Sequence, residues 1–278
     1  MINPKKAEVW LVGGGVASLA AAGFLVRDAG VAPQRVHILE ESGLAGGTMD
    51  GAPSPVQPGY VTRGGRMLEY EAYQCLWNLL ASVPSLEDPQ LSAYQEILDF
   101  NERVKSRSFA RLIDSRHKIV DASVYGLDNR DRLELTRLLA TPERLLGARR
   151  IEDMFSSHFF ETPFWQMWRT TFAFQNWHSA IEMRRYCLRF VQEFPRLHDL
   201  SGIRRTKYNQ YDSIIRPLQN WLTGQGVDFR AGVRVADVDF DHSEGRRRAT
   251  HLHLADQPPI ELGPDDATWT VLKTSRVL

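Results

Sequence analysis

The chain has 278 residues, 43% of them hydrophobic, with 34 Lys plus Arg against 34 Asp plus Glu. That length supports one or two domains with cores of their own, and the balanced charge argues against nucleic acid as a partner. Cys75 and Cys187 stand without metal-ligand spacing and suit a reducing, cytoplasmic compartment. No apolar run reaches the roughly eighteen residues needed to span a bilayer, and an early strand is expected to leave no space for a signal peptide.

The stretch from Val9 to Glu41 has the order of a βαβ dinucleotide-binding unit. An apolar run, Val9–Val12, meets the turn Gly13-Gly14-Gly15. A helix over 16–29 follows, and a second apolar run ends on Glu40. Gly13 permits the tight turn, and Gly15 has no Cβ to hold a pyrophosphate off the backbone. The first N–H groups of the helix, from Val16, Ala17 and Ser18, bring its positive dipole end to that phosphate. Ser18 replaces the third glycine and is small enough for close packing. Glu40, with Glu41 beside it, is placed to accept from both ribose hydroxyls and to repel a 2′-phosphate. A second glycine pair, Gly46-Gly47 before Thr48, follows the acid closely. That loop is similar to the flavoprotein pattern and favours FAD over NAD.

Residues 51–66 form a Gly- and Pro-rich loop ending in Arg63-Gly64-Gly65-Arg66, a segment able to bend sharply beside a ligand. Leucines at positions 68, 76, 79 and 80 predict a helix over 67–82, with Glu69 and Glu71 in its first turn. A helix over 90–104 and a short hairpin over 108–122 follow. A charged helix over 128–148 turns Leu133, Leu135, Leu138 and Leu139 inward, and a phenylalanine-rich run extends to Phe164. The stretch 164–178 is dense in aromatics and reads as core by default, or as the wall of an apolar pocket. Residues 179–193 continue as a helix. Tyr211 to Leu222 is amphipathic. Short strands then follow at 227–229 and 233–235, the backbone near Val235 meeting an adenine. A two-stranded excursion spans 238–254, and a further sheet strand begins at Thr268.

At the aromatic stretch the chain resembles the oleate hydratases, fatty-acid double-bond hydratases also called myosin-cross-reactive antigens. The matching segments are Gly13 to Ser18, Gly46-Gly47-Thr48-Met49-Asp50-Gly51, Arg63 to Arg66, Thr170 to Ser179, and Lys207-Tyr208-Asn209-Gln210-Tyr211. They run through most of the chain in the family's order, and the aromatic motif is the specific one.

The resemblance implies water addition across the cis double bond of a long-chain unsaturated fatty acid such as oleate, giving 10-hydroxystearate. FAD is then a structural and electrostatic cofactor. Tyr186 matches the tyrosine that protonates the alkene. Gln210, with Asn209 beside it, matches the position that holds the fatty-acid carboxylate. Gly64 and Gly65 match the loop that closes on the flavin. The family's water-activating glutamate corresponds to Met67, and a thioether takes no proton from water. Glu69 is two residues on, but on the expected helix it points away from position 67; Asp50 is another candidate.

The expected fold is α/β, a Rossmann-like FAD-binding domain with an inserted, mainly helical substrate domain. Residues 1–66 form the FAD-binding segment, 67–205 the substrate or lid region, and 206–278 an incomplete return to the FAD-binding domain. The family's C-terminal portion is expected to be missing. Monomer and homodimer both stay open, as does peripheral contact with a membrane. The alternatives are an FAD-dependent oxidoreductase and an inactive FAD-binding fragment.

Overall fold

The computed structural model describes residues 7–49, 51, 58–59, 66–242, 248–263 and 266–270, without the side chains of 267–270. In chain order the elements are β1 (Val9–Val12), α1 (Val16–Arg27), β2 (Val36–Glu40), α2 (Gln74–Leu80) and α3 (Ala93–Arg103). Next come α4 (Asn129–Ala140), α5 (Glu143–Leu146), α6 (Ser157–Glu161), α7 (Pro163–Phe172) and α8 (Ala180–Arg189). The chain closes with α9 (Arg216–Gln225), β3 (Asp228–Ala231), β4 (Val235–Asp241), β5 (Arg248–Leu254), β6 (Ile260–Glu261) and β7 (Ala267–Thr270).

Two compact units result. The first comprises 1–67, 73–103 and 205–278; the second comprises 68–72 and 104–204. Where the sequence reading assigned all of 67–205 to the helical region, α2 and α3 belong to the first unit.

The first unit is mixed α/β. Its parallel sheet has the order β3-β2-β1-β7, with Leu11 opposite Ile38 and Ile38 opposite Phe229. Successive side chains of a strand leave on opposite faces. Val9, Leu11, Val36 and Ile38 therefore join a core with Leu19, Leu79, Leu218 and Leu222 from the helices. Trp10 and Leu39 leave on the other face and pack with Leu252 and Leu262. Those two partners belong to the antiparallel sheet β4-β5-β6 and its continuation. The excursion read from the sequence is that sheet; its first strand begins at Val235, so Val235 is part of it and not of a separate short strand.

Before α9 lies a π-helical turn, Tyr211–Ile215. Pro217 has no N–H to bond back into the preceding turn, and the wider turn absorbs that break.

The second unit is helical among its described residues. α7 starts on Thr162, whose Oγ1 accepts from Trp165 N, with Pro163 at the first helical position. It ends where Ala173 takes a left-handed conformation, φ +58°. The face so defined buries Phe164, Trp165, Met167 and Trp168. Phe159 packs on Phe155, Phe164 and Trp165. The aromatic stretch is thus core through its helical part, while Trp177 beyond it is exposed.

Two sequence expectations fail here. The 108–122 hairpin has no strands, only one antiparallel bridge between Ile113 and Ile119. Leu133 points outward, against the inward assignment.

α4 opens with a capping box in which Asp128 accepts from Asp131 N and Asp131 accepts from Asp128 N. Asp128→Ala is expected to cost about 1 kcal/mol, since it removes one of the reciprocal bonds. A fall of a few degrees in the melting temperature checks this; an unchanged value contradicts the capping role.

Candidate functional site

The turn after β1 follows the geometry its glycines permit. Gly13 has φ +93°, a region that side chains other than glycine enter only under strain. Its N–H donates to Leu39 O at 2.7 Å, tying the turn to β2. Gly14 is constrained for a different reason. Its N–H donates to Glu40 Oε2 at 2.5 Å, and a Cβ there would lie 3.0 Å from that oxygen. Glu40 Oε1 accepts from Ser42 N and Ser42 Oγ, each at 2.8 Å. The carboxylate is therefore held over the turn with lone pairs to spare, because an ionised carboxylate has about four acceptor positions.

Gly15 is the N-cap of α1 and caps it with no side chain. A Cβ on Gly15 would meet nothing within 4 Å. Among the described residues nothing at Gly15 blocks the approach of a phosphate to the start of α1, with its partial positive charge. Ser18 is buried, and its Oγ finds no hydrogen-bond partner among the described residues.

The second glycine pair lies against the first. Gly46 N donates to Gly14 O at 2.9 Å, and Gly46 bridges Gly15 in parallel. Gly47, φ +58°, begins the short 3-10 turn Gly47–Met49 that contains Thr48. Arg66 Nη2 donates to Thr48 O at 3.3 Å, which places the end of the Arg-Gly-Gly-Arg segment beside this loop. Arg63, Gly64, Gly65 and Asp50 lie outside the described residues. Glu41 is exposed, with Arg234 Nε 3.8 Å from its Oε1. Val233 N donates to Glu40 O, so the segment leading into Val235 runs alongside the end of β2. These residues form one cluster of the first unit, and their chemistry fits a diphosphate-linked dinucleotide.

Asn209 and Gln210 also belong to the first unit. Asn209 Oδ1 accepts from Asp212 N and its Nδ2 donates to Asp212 Oδ2, at 2.9 and 2.7 Å. Asn209 thus caps the π turn, and a Cβ at Gly51 would lie 3.5 Å from its Oδ1. Gln210 is buried at the first residue before that turn. Met67 is half-buried at the end of the unit's first segment.

Tyr186 belongs to the second unit, on the half-buried side of α8. Its ring meets Phe172 and Phe174 edge-on, with centroids 5.4 and 5.2 Å away, and Phe190 at 5.8 Å. No described residue hydrogen-bonds its hydroxyl. An aromatic enclosure with one free O–H suits an apolar substrate that is to receive a proton.

The MCRA family model matches residues 6–274. The chain belongs to the MCRA family. This MCRA chain is 39% identical over 277 residues to the oleate hydratase of Streptococcus pyogenes serotype M49 (strain NZ131), covering 96% of itself and 46% of that protein. It is 35% identical over 252 residues to the linoleate hydratase of Lactiplantibacillus plantarum, covering 84% and 44%. It therefore spans about half the length of the curated relatives it matches. The structure of an oxidoreductase from Methanosarcina mazei shares the fold, with TM-score 0.54 and 12% identity over 91% of this chain and 56% of that one. No helix among the described residues of the MCRA chain is long and apolar enough to cross a membrane.

One carboxylate of the MCRA chain, Glu69, lies in a setting other than the helix start expected from the sequence. The segment 67–73 is not helical: Leu68 pairs with Arg204 through N–H to O bonds of 3.1 and 2.7 Å, and the helix starts at Gln74. Glu69 is consequently buried, 1% exposed, and not at a helix start. Its Oε2 accepts from Gln192 Nε2 at 2.7 Å. Burial first, then the charge of Glu193, raises its pKa to about 7; Glu71 adds to this, while Gln192 and Arg196 oppose it.

Because the folded pKa lies above the unfolded value, stability from Glu69 is fully present below about pH 4.5 and is lost as pH rises toward 7. Glu69→Gln is expected to stabilise the chain at pH 8 by on the order of 1–2 kcal/mol and to change little at pH 4.5. Denaturant titrations at both values check this; equal effects at the two would refute a protonated Glu69.

Proposed function

We propose that this chain forms the flavin-nucleotide-binding and proton-donating part of a fatty-acid hydratase, which adds water across the cis double bond of an unsaturated fatty acid such as oleate. The 39% identity to an oleate hydratase over 96% of the chain carries this reading. The open diphosphate seat at Gly15 and the enclosed phenol of Tyr186 support it.

Gly13, Gly15 and the start of α1 hold the diphosphate of FAD, Glu40 its ribose hydroxyls, and Gly46 to Thr48 with Arg66 the next stretch of the nucleotide. Bound there, FAD supplies shape and charge with no net redox change. Tyr186 gives its phenolic proton to one alkene carbon, the π electron pair forming the new C–H bond. Water's oxygen bonds the other carbon, and the proton it sheds restores the tyrosine. Gln210 and Asn209 orient the substrate carboxylate.

A base at position 67 is not needed for this balance, but it would speed attack by water. Met67→Glu is expected to raise the hydration rate about tenfold or more, read as hydroxy-acid formed per minute with FAD saturating. An unchanged rate would put the burden on positioning.

The reading itself is tested by incubating the chain with FAD and oleate. Formation of 10-hydroxystearate, carrying one oxygen from labelled water, supports it. Substrate-dependent bleaching of the flavin with peroxide release would select a redox flavoenzyme instead.

A further inference from the structure

Residues 105–123, in the second unit, carry five Lys or Arg against two Asp, a net of +3. They also show apolar side chains to solvent: Phe109 is 82% exposed, Ile113 61% and Ile119 64%. Isolated exposed apolar residues are ordinary; several on one basic hairpin are not. Ile113 and Ile119 face each other across an antiparallel bridge, so their side chains share one side of the hairpin. The tip between them holds Arg116 and Lys118, whose backbone N–H groups are tied to Asp114 Oδ1 at 2.8 and 2.9 Å.

Beneath the hairpin lies a cleft of about 400 Å³, lined among others by Arg107, Phe109, Arg111, Ile119 and His198. Arg111 is half-buried, and its guanidinium meets neutral acceptors, Thr171 Oγ1 at 2.7 Å and Leu197 O at 3.3 Å. Burial lowers its pKa with no carboxylate opposing the shift. The two acids in the lining are engaged locally. Asp121 accepts from Ser123 N and Oγ. Asp199 accepts from Ser201 N and lies 3.9 Å from His198 Nε2. A half-buried cation without a counter-ion is costly, and an anion entering the cleft removes that cost.

We infer that this hairpin docks the chain on an anionic lipid bilayer, with Phe109, Ile113 and Ile119 entering the acyl boundary and the Arg111 cleft receiving a lipid phosphate. Charge complementarity selects the occupant: Arg107 and Arg111 lie either side of Phe109, and Arg116 and Lys118 lie between Ile113 and Ile119, a mixture of cations and apolar side chains as in segments that bind acidic leaflets. The inference stands on the hairpin alone and not on the hydratase reading, and its test uses neither FAD nor oleate.

The test is co-sedimentation of the 278-residue chain with vesicles of phosphatidylcholine alone or mixed with phosphatidylglycerol. Mixed vesicles are expected to bind it at least about tenfold better, with binding lost at high salt. Arg116→Gln with Lys118→Gln should weaken that binding about twenty- to thirtyfold, and Ile113→Ser with Ile119→Ser about tenfold or more. All four positions are exposed, so an unchanged thermal melt is expected to show the variants folded. Arg111→Met should weaken binding to the mixed vesicles about fivefold, the share of one cation near an acidic surface. Equal binding to both vesicle types overturns the inference, as does variant binding equal to that of the parent. Saturable binding of inorganic phosphate without vesicle binding would make the cleft a free-anion site. Light scattering showing a dimer that the isoleucine variant dissociates would make the hairpin a self-association surface. Either result also overturns the inference.

Discussion

Replacing Gly15 with valine is expected to lower affinity for FAD about a hundredfold, about 2.7 kcal/mol, while leaving the thermal melt of the free chain nearly unchanged. The separation of the two effects comes from where the side chain would go. Gly15 has φ −71° and ψ 170°, an extended conformation open to any residue. Among the described residues nothing lies within 4 Å of its Cβ position. A valine there strains no backbone and meets no described neighbour, yet its methyl groups occupy the approach to the first N–H groups of α1, where the diphosphate is proposed to bind. Gly13→Val is the contrasting control: at φ +93° it destabilises the fold itself. Quenching of flavin fluorescence with a parallel melt distinguishes the two. Undiminished FAD binding by Gly15→Val would show that the nucleotide sits elsewhere.

Tyr186→Phe is expected to reduce hydration about a thousandfold, within the range for removal of a general acid. It is also expected to change stability by less than about 0.5 kcal/mol. The hydroxyl has no hydrogen-bond partner among the described residues, so its loss leaves no group stranded. The ring keeps its edge-on packing against Phe172 and Phe174. FAD affinity should hold, because Tyr186 is not among the residues proposed to hold the nucleotide, Gly13, Gly15, Glu40, Gly46 to Thr48 and Arg66. Loss of activity together with a large fall in melting temperature would mark Tyr186 as a packing residue only.

The βαβ start of the chain was legible because each requirement is local. Gly13 needs positive φ, the apolar runs at Val9 and Val36 build strands, and Glu40 ends the second of them. β1 and β2 appear with the expected bounds. The reason for Gly14 was not legible, since the oxygen its Cβ would crowd belongs to Glu40, 26 residues away. The segment around Glu69 was misread for a similar cause. Its leucine spacing resembles a helix, but the backbone of Leu68 is claimed by Arg204, and no local pattern announces a pairing over that distance. The hairpin at 108–122 fails as a pair of strands because side chains such as Ile113 and Ile119 stay exposed, with no second layer to bury them. Tyr186 could be singled out only by family resemblance: half-buried aromatics on helices are common, and the cage around it assembles from α7, its turn and the end of α8.

A competition titration tests the proposed nucleotide seat most directly. FAD is added to the chain while flavin fluorescence is read, first alone, then against ADP, then against ADP carrying a 2′-phosphate. The geometry of Gly15 and Glu40 predicts saturable binding of one FAD per chain, displaced by ADP and about tenfold or more less well by the 2′-phosphorylated analogue, which Glu40 repels. No saturation, or equal displacement by both nucleotides, would contradict it.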